Sequence, residues 1–451
     1  MPFSFSVPVA AVSSAVHHSD AAIRNVEVTT NAIGALQDVL DGVESYERLL
    51  LKAAAGAGKS FALRRLVREA IAHPGVTRVG VTAFANKQVF PLAAALGKEL
   101  GAAKVCLSVA KERLPDLPVG LTSVCTVAVT AKDVPDDAVV ILGTTHKLQG
   151  SAPWLLKLLG PAGNGDRLFD VLFVDEAWQL PLHRYRRIDR LAPLVVGVGD
   201  VGQLPPLDSS QNPWRGDSRY NPYRAWPTVY EGDDRTWAVE LPAVWRPNAR
   251  QLGLWRAFYA EWESLDCVAA APDRSIELGP GGFGGASRTV WEQVATGTPT
   301  LLEVADLPDP EAPDVDLPLM NQLEALLDEL ISGGFVVRQA LYDEHGNPSG
   351  ETADATVTTP GSDPLIAVLA TRNQAVDDAQ DVVDRLVIKH GLPDGAIIAS
   401  TVDSWQGQTN GITVAIHPLS GASALDEFNS AFGRLAVTCT RATHGLLLLS
   451  R

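Results

Sequence analysis

The chain has 451 residues, 46% of them hydrophobic and 20% charged. That is enough for two or three domains with their own cores and too apolar for a fibrous or disordered chain. With 37 basic residues against 53 acidic, the formal net charge is -16, which excludes a protein that coats polyanions with its whole surface; any nucleic-acid site must be a local basic groove.

Mean hydropathy is near neutral, and apolar runs such as Leu49 to Ala55 and Leu446 to Leu449 fall far short of the ~20 residues a bilayer span requires. The first basic residue is Arg24, so the N-terminus lacks the positive region of a secretory signal, although Val7 to Val16 is fairly apolar. An intracellular, cytoplasmic protein with no membrane partner is expected. Cys106, Cys125, Cys267 and Cys439 lie far apart with no CxxC spacing, which predicts reduced, mostly buried thiols rather than a zinc cluster or disulfide framework. Every lysine but Lys389 falls at or before Lys157, an asymmetry compatible with two lobes.

In chain order, short apolar runs ending in small or polar residues recur at Leu49 to Ala55, Val79 to Phe84, Val139 to Gly143, Val171 to Val174 and Leu194 to Val198. Helix-like stretches lie between several of them. Over Phe61 to Ala72, Leu63, Leu66, Val67, Ala70 and Ile71 trace one face. This alternation predicts a parallel α/β sheet. A second series follows with Leu365 to Ala370, an amphipathic stretch from Ala375 to Ile388, then Ala396 to Thr401, Ile412 to Ile416 and Leu446 to Leu449, a second α/β lobe. Between them Gly279 to Ala286, Asp306 to Pro318 and Asp343 to Asp363 are rich in Gly, Pro and acids and are expected to be loops or small excursions. The division is residues 1–245 as an N-terminal lobe, 246–363 as the start of a second lobe with irregular excursions, and 364–451 as its remainder.

After the first strand, Ala53-Ala54-Ala55-Gly56-Ala57-Gly58-Lys59-Ser60 fits the phosphate loop G-x-x-x-x-G-K-[ST] except that Ala53 replaces the first Gly. Gly56, Ala57 and Gly58 let backbone N–H groups wrap phosphate oxygens. A helix starting near Lys59 favours anions at its N-terminus, Lys59 suits the β and γ phosphates, and Ser60 suits magnesium. The competing reading is a chance Gly/Ala-rich turn, against which the strand–loop–helix context speaks. Downstream, Val171 to Ala177 is a buried-type strand ending in Asp175 and Glu176. Such a strand delivers Asp175 to the metal ion, while Glu176 can orient and deprotonate the attacking water.

Asp175-Glu176-Ala177-Trp178-Gln179 and Gly199-Asp200-Val201-Gly202-Gln203-Leu204-Pro205-Pro206 resemble motifs II and III of superfamily 1 helicases. The rest of the set falls in order. Gln37 sits 22 residues before Lys59, where that superfamily places an adenine-reading glutamine; Val81 to Asn86 looks like motif Ia, and Gly143-Thr144-Thr145-His146 like the next nucleic-acid-contacting segment. Trp245-Arg246-Pro247 looks like motif IV, Val402 to Gln408 like motif V, and Val437 to Ala442 like motif VI. The forms VDSxQGQ, TRA and DEAxQ are most similar to the branch of the RNA-surveillance helicase and its bacterial relatives. The resemblance implies two RecA-like P-loop NTPase lobes with parallel sheets, ATP and Mg2+ in the cleft between them, Arg246 and Arg441 as arginine fingers, Gln179 and Gln203 as γ-phosphate sensors, and Gly407 at the nucleotide. It also implies nucleic-acid contact by Thr82, Asn86, Thr145 and His146, whose polar side chains suit phosphate and ribose. The chain ends nine residues after Ala442 and leaves little room between Lys59 and Asp175 for a large insertion, so a minimal core is expected, with translocation along a single strand a safer inference than robust unwinding.

Two further segments bear on nucleic acid: His183 to Arg187 with Arg190, and the stretch holding Trp214, Trp226, Trp237, Trp245, Trp255 and Trp262. Single-strand channels combine basic charge with aromatic platforms, but tryptophans at this density more often pack cores, and arginine-rich helix starts are more often solvated. Two functions stay open. One is an ATP-driven helicase or translocase on single-stranded DNA or RNA; the other is a helicase-derived ATPase that loads, remodels or regulates a protein–nucleic acid assembly with protein partners. The acidic balance favours the second modestly. A small-molecule kinase would leave motifs III, V and VI unexplained.

Overall fold

A computed structural model of the chain describes residues 3–6, 19–163, 165–202, 206, 212–214, 221–259, 265–312, 315–343, 347–361, 363–421 and 432–451. The chain divides into two compact units, one of Asn25–Val201 with Pro205–Leu241, the other of Met1–Arg24, Gly202–Leu204 and Pro242–Arg451. The boundary thus falls at Leu241/Pro242, against 245 drawn from the sequence, and the N-terminal strand Phe3–Ser6 groups with the C-terminal unit because it pairs antiparallel with Thr300–Val304.

The phosphate-loop unit is an eight-stranded, all-parallel sheet in the order Thr126–Ala128, Val105–Ser108, Val140–Thr144, Val79–Ala83, Val171–Asp175, Leu194–Gly199, Arg48–Ala53, Thr236–Leu241. Strands covered on both faces read as unbroken apolar runs, and Val79–Ala83, Val171–Asp175 and Leu194–Gly199 are buried along their whole length. The helix Lys59–Ala72 buries Ala62, Leu63, Leu66, Val67 and Ala70, close to the face its periodicity predicts. One strand, Leu194–Gly199, lies between the phosphate-loop strand and the acidic strand, so three successive strand ends deliver the phosphate loop, Asp200 and Asp175 to one edge of the sheet.

Trp226 closes the core of this unit. It is wholly buried and stacks on Tyr185, with ring centroids 4.0 Å apart and planes 4° from parallel. Its ring occupies the space that a side chain at Gly197 would need: a Cβ there would lie 2.7 Å from the indole.

The C-terminal unit has a six-stranded sheet in the order Phe3–Ser6, Thr300–Val304, Ala442–Ser450, Asn410–Ile416, Ile366–Ala370, Ile397–Thr401, parallel except at Phe3–Ser6. The helix Asn373–His390 buries Ala379, Val382, Val383 and Leu386 and ends on Gly391. Both units are α/β layers built on parallel or largely parallel sheets, as the sequence predicts.

The excursion is more ordered than its composition suggests. Arg274–Leu278, Phe335–Tyr342 and Pro348–Ala355 form a three-stranded antiparallel sheet, and the last strand lies inside the acidic segment expected to be loop. Its residues are exposed from Pro348 to Asp354, so it carries no apolar alternation to read. Backbone pairing holds it, with Arg338 bridging Asp354 and Glu277 across the sheet. Among the described residues no helix is long and apolar enough to cross a membrane.

Trp226→Ala removes a wholly buried aromatic ring and is expected to cost about 3–5 kcal/mol, read as an earlier urea transition of the phosphate-loop unit.

Candidate active site

The strand Arg48–Ala53 enters the loop through Ala53, Ala54 and Ala55, all fully buried. Gly56 and Gly58 then take positive φ, 67° and 93°, a region that L side chains avoid. Gly58 is the N-cap of the helix Lys59–Ala72, and its carbonyl accepts from the N–H groups of Phe61 and Ala62. The turn therefore presents the first N–H groups of a 14-residue helix, which have no acceptor within the helix and favour an anion. Asn25, a buried residue in the helix Ser19–Leu40, donates from Nδ2 to the Ala57 carbonyl at 3.1 Å and pins the loop.

Facing the loop is a cluster of buried acids. Asp175, Glu176 and Asp200 are 7%, 8% and 2% exposed, and Lys59 Nζ lies 3.5 Å from both Glu176 Oε1 and Asp200 Oδ2. Burial and the neighbouring Glu176 raise the Asp175 pKa, with Lys59 pulling the other way. Glu176 adopts left-handed backbone, φ 50° and ψ 46°, a conformation costing roughly 1–2 kcal/mol for an L residue. Its Oε2 is buried with no hydrogen-bond partner among the described residues. Three buried carboxylates against one ammonium leave surplus negative charge in a place where desolvation is expensive. That surplus, the orphaned Oε2 and the glycine turn fit a divalent cation carried in with a nucleotide triphosphate.

Beside the acids, Gln179 closes the turn Ala177–Gln179, its N–H donating to the Glu176 carbonyl at 2.8 Å. Gln88 Nε2 donates to Gln179 Oε1 at 3.0 Å, and Gln88 Oε1 accepts from the Ala85 N–H at 2.9 Å. Gln203 lies outside the described residues. Gln37 is exposed on the helix Ser19–Leu40.

The nucleic-acid candidates separate by burial. Thr82 is wholly buried and its Oγ1 has no partner among the described residues; Thr145 is also buried, whereas Asn86 is half-buried and His146 exposed. Asn86 lines a pocket of about 700 Å³ together with Phe84, Lys87, Arg113, Asp116 and Thr144. Phe84 is 45% exposed, an aromatic ring to which sequence reasoning assigned no separate role. Of the tryptophans, Trp226 and Trp255 are fully buried and Trp237 and Trp245 half-buried; Trp214 is 40% exposed and Trp262 is outside the described residues. Tyr185 of the arginine cluster is core, while Arg186, Arg187 and Arg190 are exposed.

In the C-terminal unit, Arg246 and Arg441 meet at Thr440. Arg246 Nη1 donates to the Thr440 carbonyl at 3.0 Å and Arg441 Nη2 to Thr440 Oγ1 at 3.2 Å. Arg441 is wholly buried and also donates to the carbonyls of Val437 and Gln408. Gly407 is exposed with φ 85°. Asp403 of the same segment pairs with Arg434 through both carboxylate oxygens, at 3.2 and 3.3 Å. All four cysteines are free and buried, and burial pushes Cys106, Cys267 and Cys439 up to about 12.

Asn25 and Gln88 were not singled out by the sequence, and Asp200 and Thr144 were quoted there only as members of motifs, without a role of their own. Only Gln88 left a local signal, an amide at the third helical position of Asn86–Leu100, where capping side chains reach back.

Because folding raises the Asp175 pKa, the native state holds its proton more tightly than the unfolded chain. Its contribution to stability is present at low pH and lost as pH rises above the ordinary carboxylate range. Asp175→Asn, a neutral isostere, is therefore expected to raise the melting temperature of the nucleotide-free protein at pH 8 but not at pH 4, while weakening magnesium-dependent nucleotide binding. Scanning calorimetry at the two pH values checks the sign.

No family model matches the chain, and no curated protein matches it. Among solved structures it is similar to the PRRSV helicase, at 14% identity and TM-score 0.41, covering 91% of this chain and 54% of that one. It is also similar to the arterivirus nonstructural protein 10 helicase in its complex with DNA, at 14% identity and TM-score 0.41, covering 94% and 62%. A third likeness is to the E. coli DExH-box NTPase HrpB, at 11% identity and TM-score 0.40, covering 94% and 41%. The chain spans 54% and 62% of the length of the first two.

Proposed function

We propose that the chain is an ATP hydrolase of the superfamily 1 helicase type that moves along single-stranded DNA or RNA. The observation that carries this reading is the Lys59 ammonium shared between the buried carboxylates of Glu176 and Asp200 at the carboxyl edge of a parallel sheet, beside a glycine turn that opens a helix. The helicase motifs quoted from the sequence name the reaction class that uses such a site.

In this reading the N–H groups around Gly56 to Ser60 cradle the triphosphate. Lys59 exchanges its carboxylate partners for β- and γ-phosphate oxygens, which frees Glu176 to take a proton from the attacking water. Magnesium, held by Ser60 and Asp175, would supply charge neutralisation on the phosphates. Gln37 reads the adenine, Gln179 and Gln203 meet the γ-phosphate, and Gly407 lies at the nucleotide. Arg246 and Arg441 supply guanidinium to the transferring phosphoryl group, which requires that they exchange the contacts they now make around Thr440. Asn86 and Phe84, at the mouth of one pocket with Lys87 and Arg113, suit backbone contact and base stacking on a single strand.

Hydrolysis by the purified protein, with and without poly-dT and poly-U at low and moderate salt, tests the reading. One polymer is expected to raise the rate, the effect shrinking with salt through counterion release, and Lys59→Ala is expected to abolish turnover. Slow turnover that neither polymer changes would favour instead the loader or remodeller that works with protein partners, the reading that the net charge of -16 supports.

A further inference from the structure

We infer that Gln88 is a positioning residue that fixes which face of the Gln179 amide meets the triphosphate; the inference rests on the nucleotide-binding part of the reading above. The Ala85 N–H can only donate, so the Gln88 atom 2.9 Å from it is the carbonyl oxygen. The other atom of that amide is therefore the NH2, and it donates to Gln179 at 3.0 Å. The Gln179 atom that receives it must be the oxygen. One obligate backbone donor thus sets the orientation of two amides in series.

The consequence is a donor left over. Gln179 Nε2 is buried and has no hydrogen-bond partner among the described residues, in the turn that begins at Glu176. A buried amide donor without an acceptor is costly in a folded protein, and a ligand that brings an anionic oxygen relieves it. A γ-phosphate oxygen is such an acceptor; a diphosphate lacks it. Gln88 therefore converts Gln179 from an amide that could present either atom into a fixed donor, and with it sets the preference for triphosphate over diphosphate.

Two substitutions separate this role from a structural one. Gln88→Glu keeps an oxygen to accept from the Ala85 N–H, so the start of the helix Asn86–Leu100 keeps its cap, but it removes the donor. The introduced carboxylate then draws the Gln179 NH2 towards itself and turns the oxygen to the phosphates. Gln88→Ala removes both cap and donor and leaves the Gln179 amide free to take either orientation.

Binding of magnesium with ADP and with a non-hydrolysable ATP analogue, measured by calorimetry on the full chain beside melting temperatures, reads both properties. The ratio of triphosphate to diphosphate affinity is expected to fall by about tenfold in Gln88→Glu and by less in Gln88→Ala. Melting temperature is expected to run the other way, unchanged in Gln88→Glu and lowered in Gln88→Ala. A ratio that follows the melting temperature, or one that Gln88→Glu leaves at the wild-type value, overturns the inference, as does a wild type that binds neither nucleotide. A wild type that prefers triphosphate yet ignores poly-dT and poly-U defeats the translocase reading alone, because neither readout here uses a polymer.

Discussion

A single ammonium group inside a nest of carboxylates governs the phosphate-loop unit. Lys59 sits between Glu176 and Asp200, with Asp175 buried beside them, and one ammonium cannot balance the three carboxyl groups when all are ionised. The sheet order creates the problem. Parallel strands point their carboxyl ends the same way, so the phosphate loop, the acidic pair and the residue after Gly199 emerge side by side, in registers that set Lys52 against Gly199 and Asp175 against Val198. Open α/β sheets bind ligands outside the carboxyl ends of their strands.

Local rules are broken where that charge collects. Glu176 takes left-handed backbone, its Oε2 and the Gln179 amide nitrogen are orphaned, and Thr82 buries a hydroxyl without a partner among the described residues. Elsewhere in the same unit apolar strands are buried end to end and Tyr185 stacks on Trp226, although Arg78 Nε, Trp226 Nε1 and Thr236 Oγ1 are also buried without a partner among the described residues. Strain and unsatisfied groups persist only where surrounding structure holds them. The cost at one sheet edge is carried by the packing of the rest.

The C-terminal unit handles charge differently. Arg441 is buried yet satisfied, with its donors spent on Val437, Gln408 and Thr440, and Arg274 reaches the Trp245 carbonyl and Gln339. These guanidinium groups tie segments together at backbone carbonyls, which a planar fork of donors does well. The exposed strand Pro348–Ala355 relies on pairing and on the bridges of Arg338 rather than on a core.

Much of this was legible in the sequence. Unbroken apolar runs fixed the central strands of both sheets, because a strand covered on both faces must be apolar throughout. The phosphate loop and the acidic pair were legible because their chemistry demands particular residues at particular spacings. The strand Pro348–Ala355 was not, since an exposed strand carries no apolar signal, and the tryptophans could not be sorted into core and surface without knowing their neighbours. Tertiary structure alone decided that Asp200 reaches Lys59 from 141 positions away, that Thr144 rather than Thr145 faces the pocket, and that Asn25 grips the phosphate loop. It also decided that Gln88, accepting from the Ala85 N–H, donates to Gln179. Sequence spacing records which groups a site needs; which atom of each group faces inward depends on partners that only folding brings within hydrogen-bond distance.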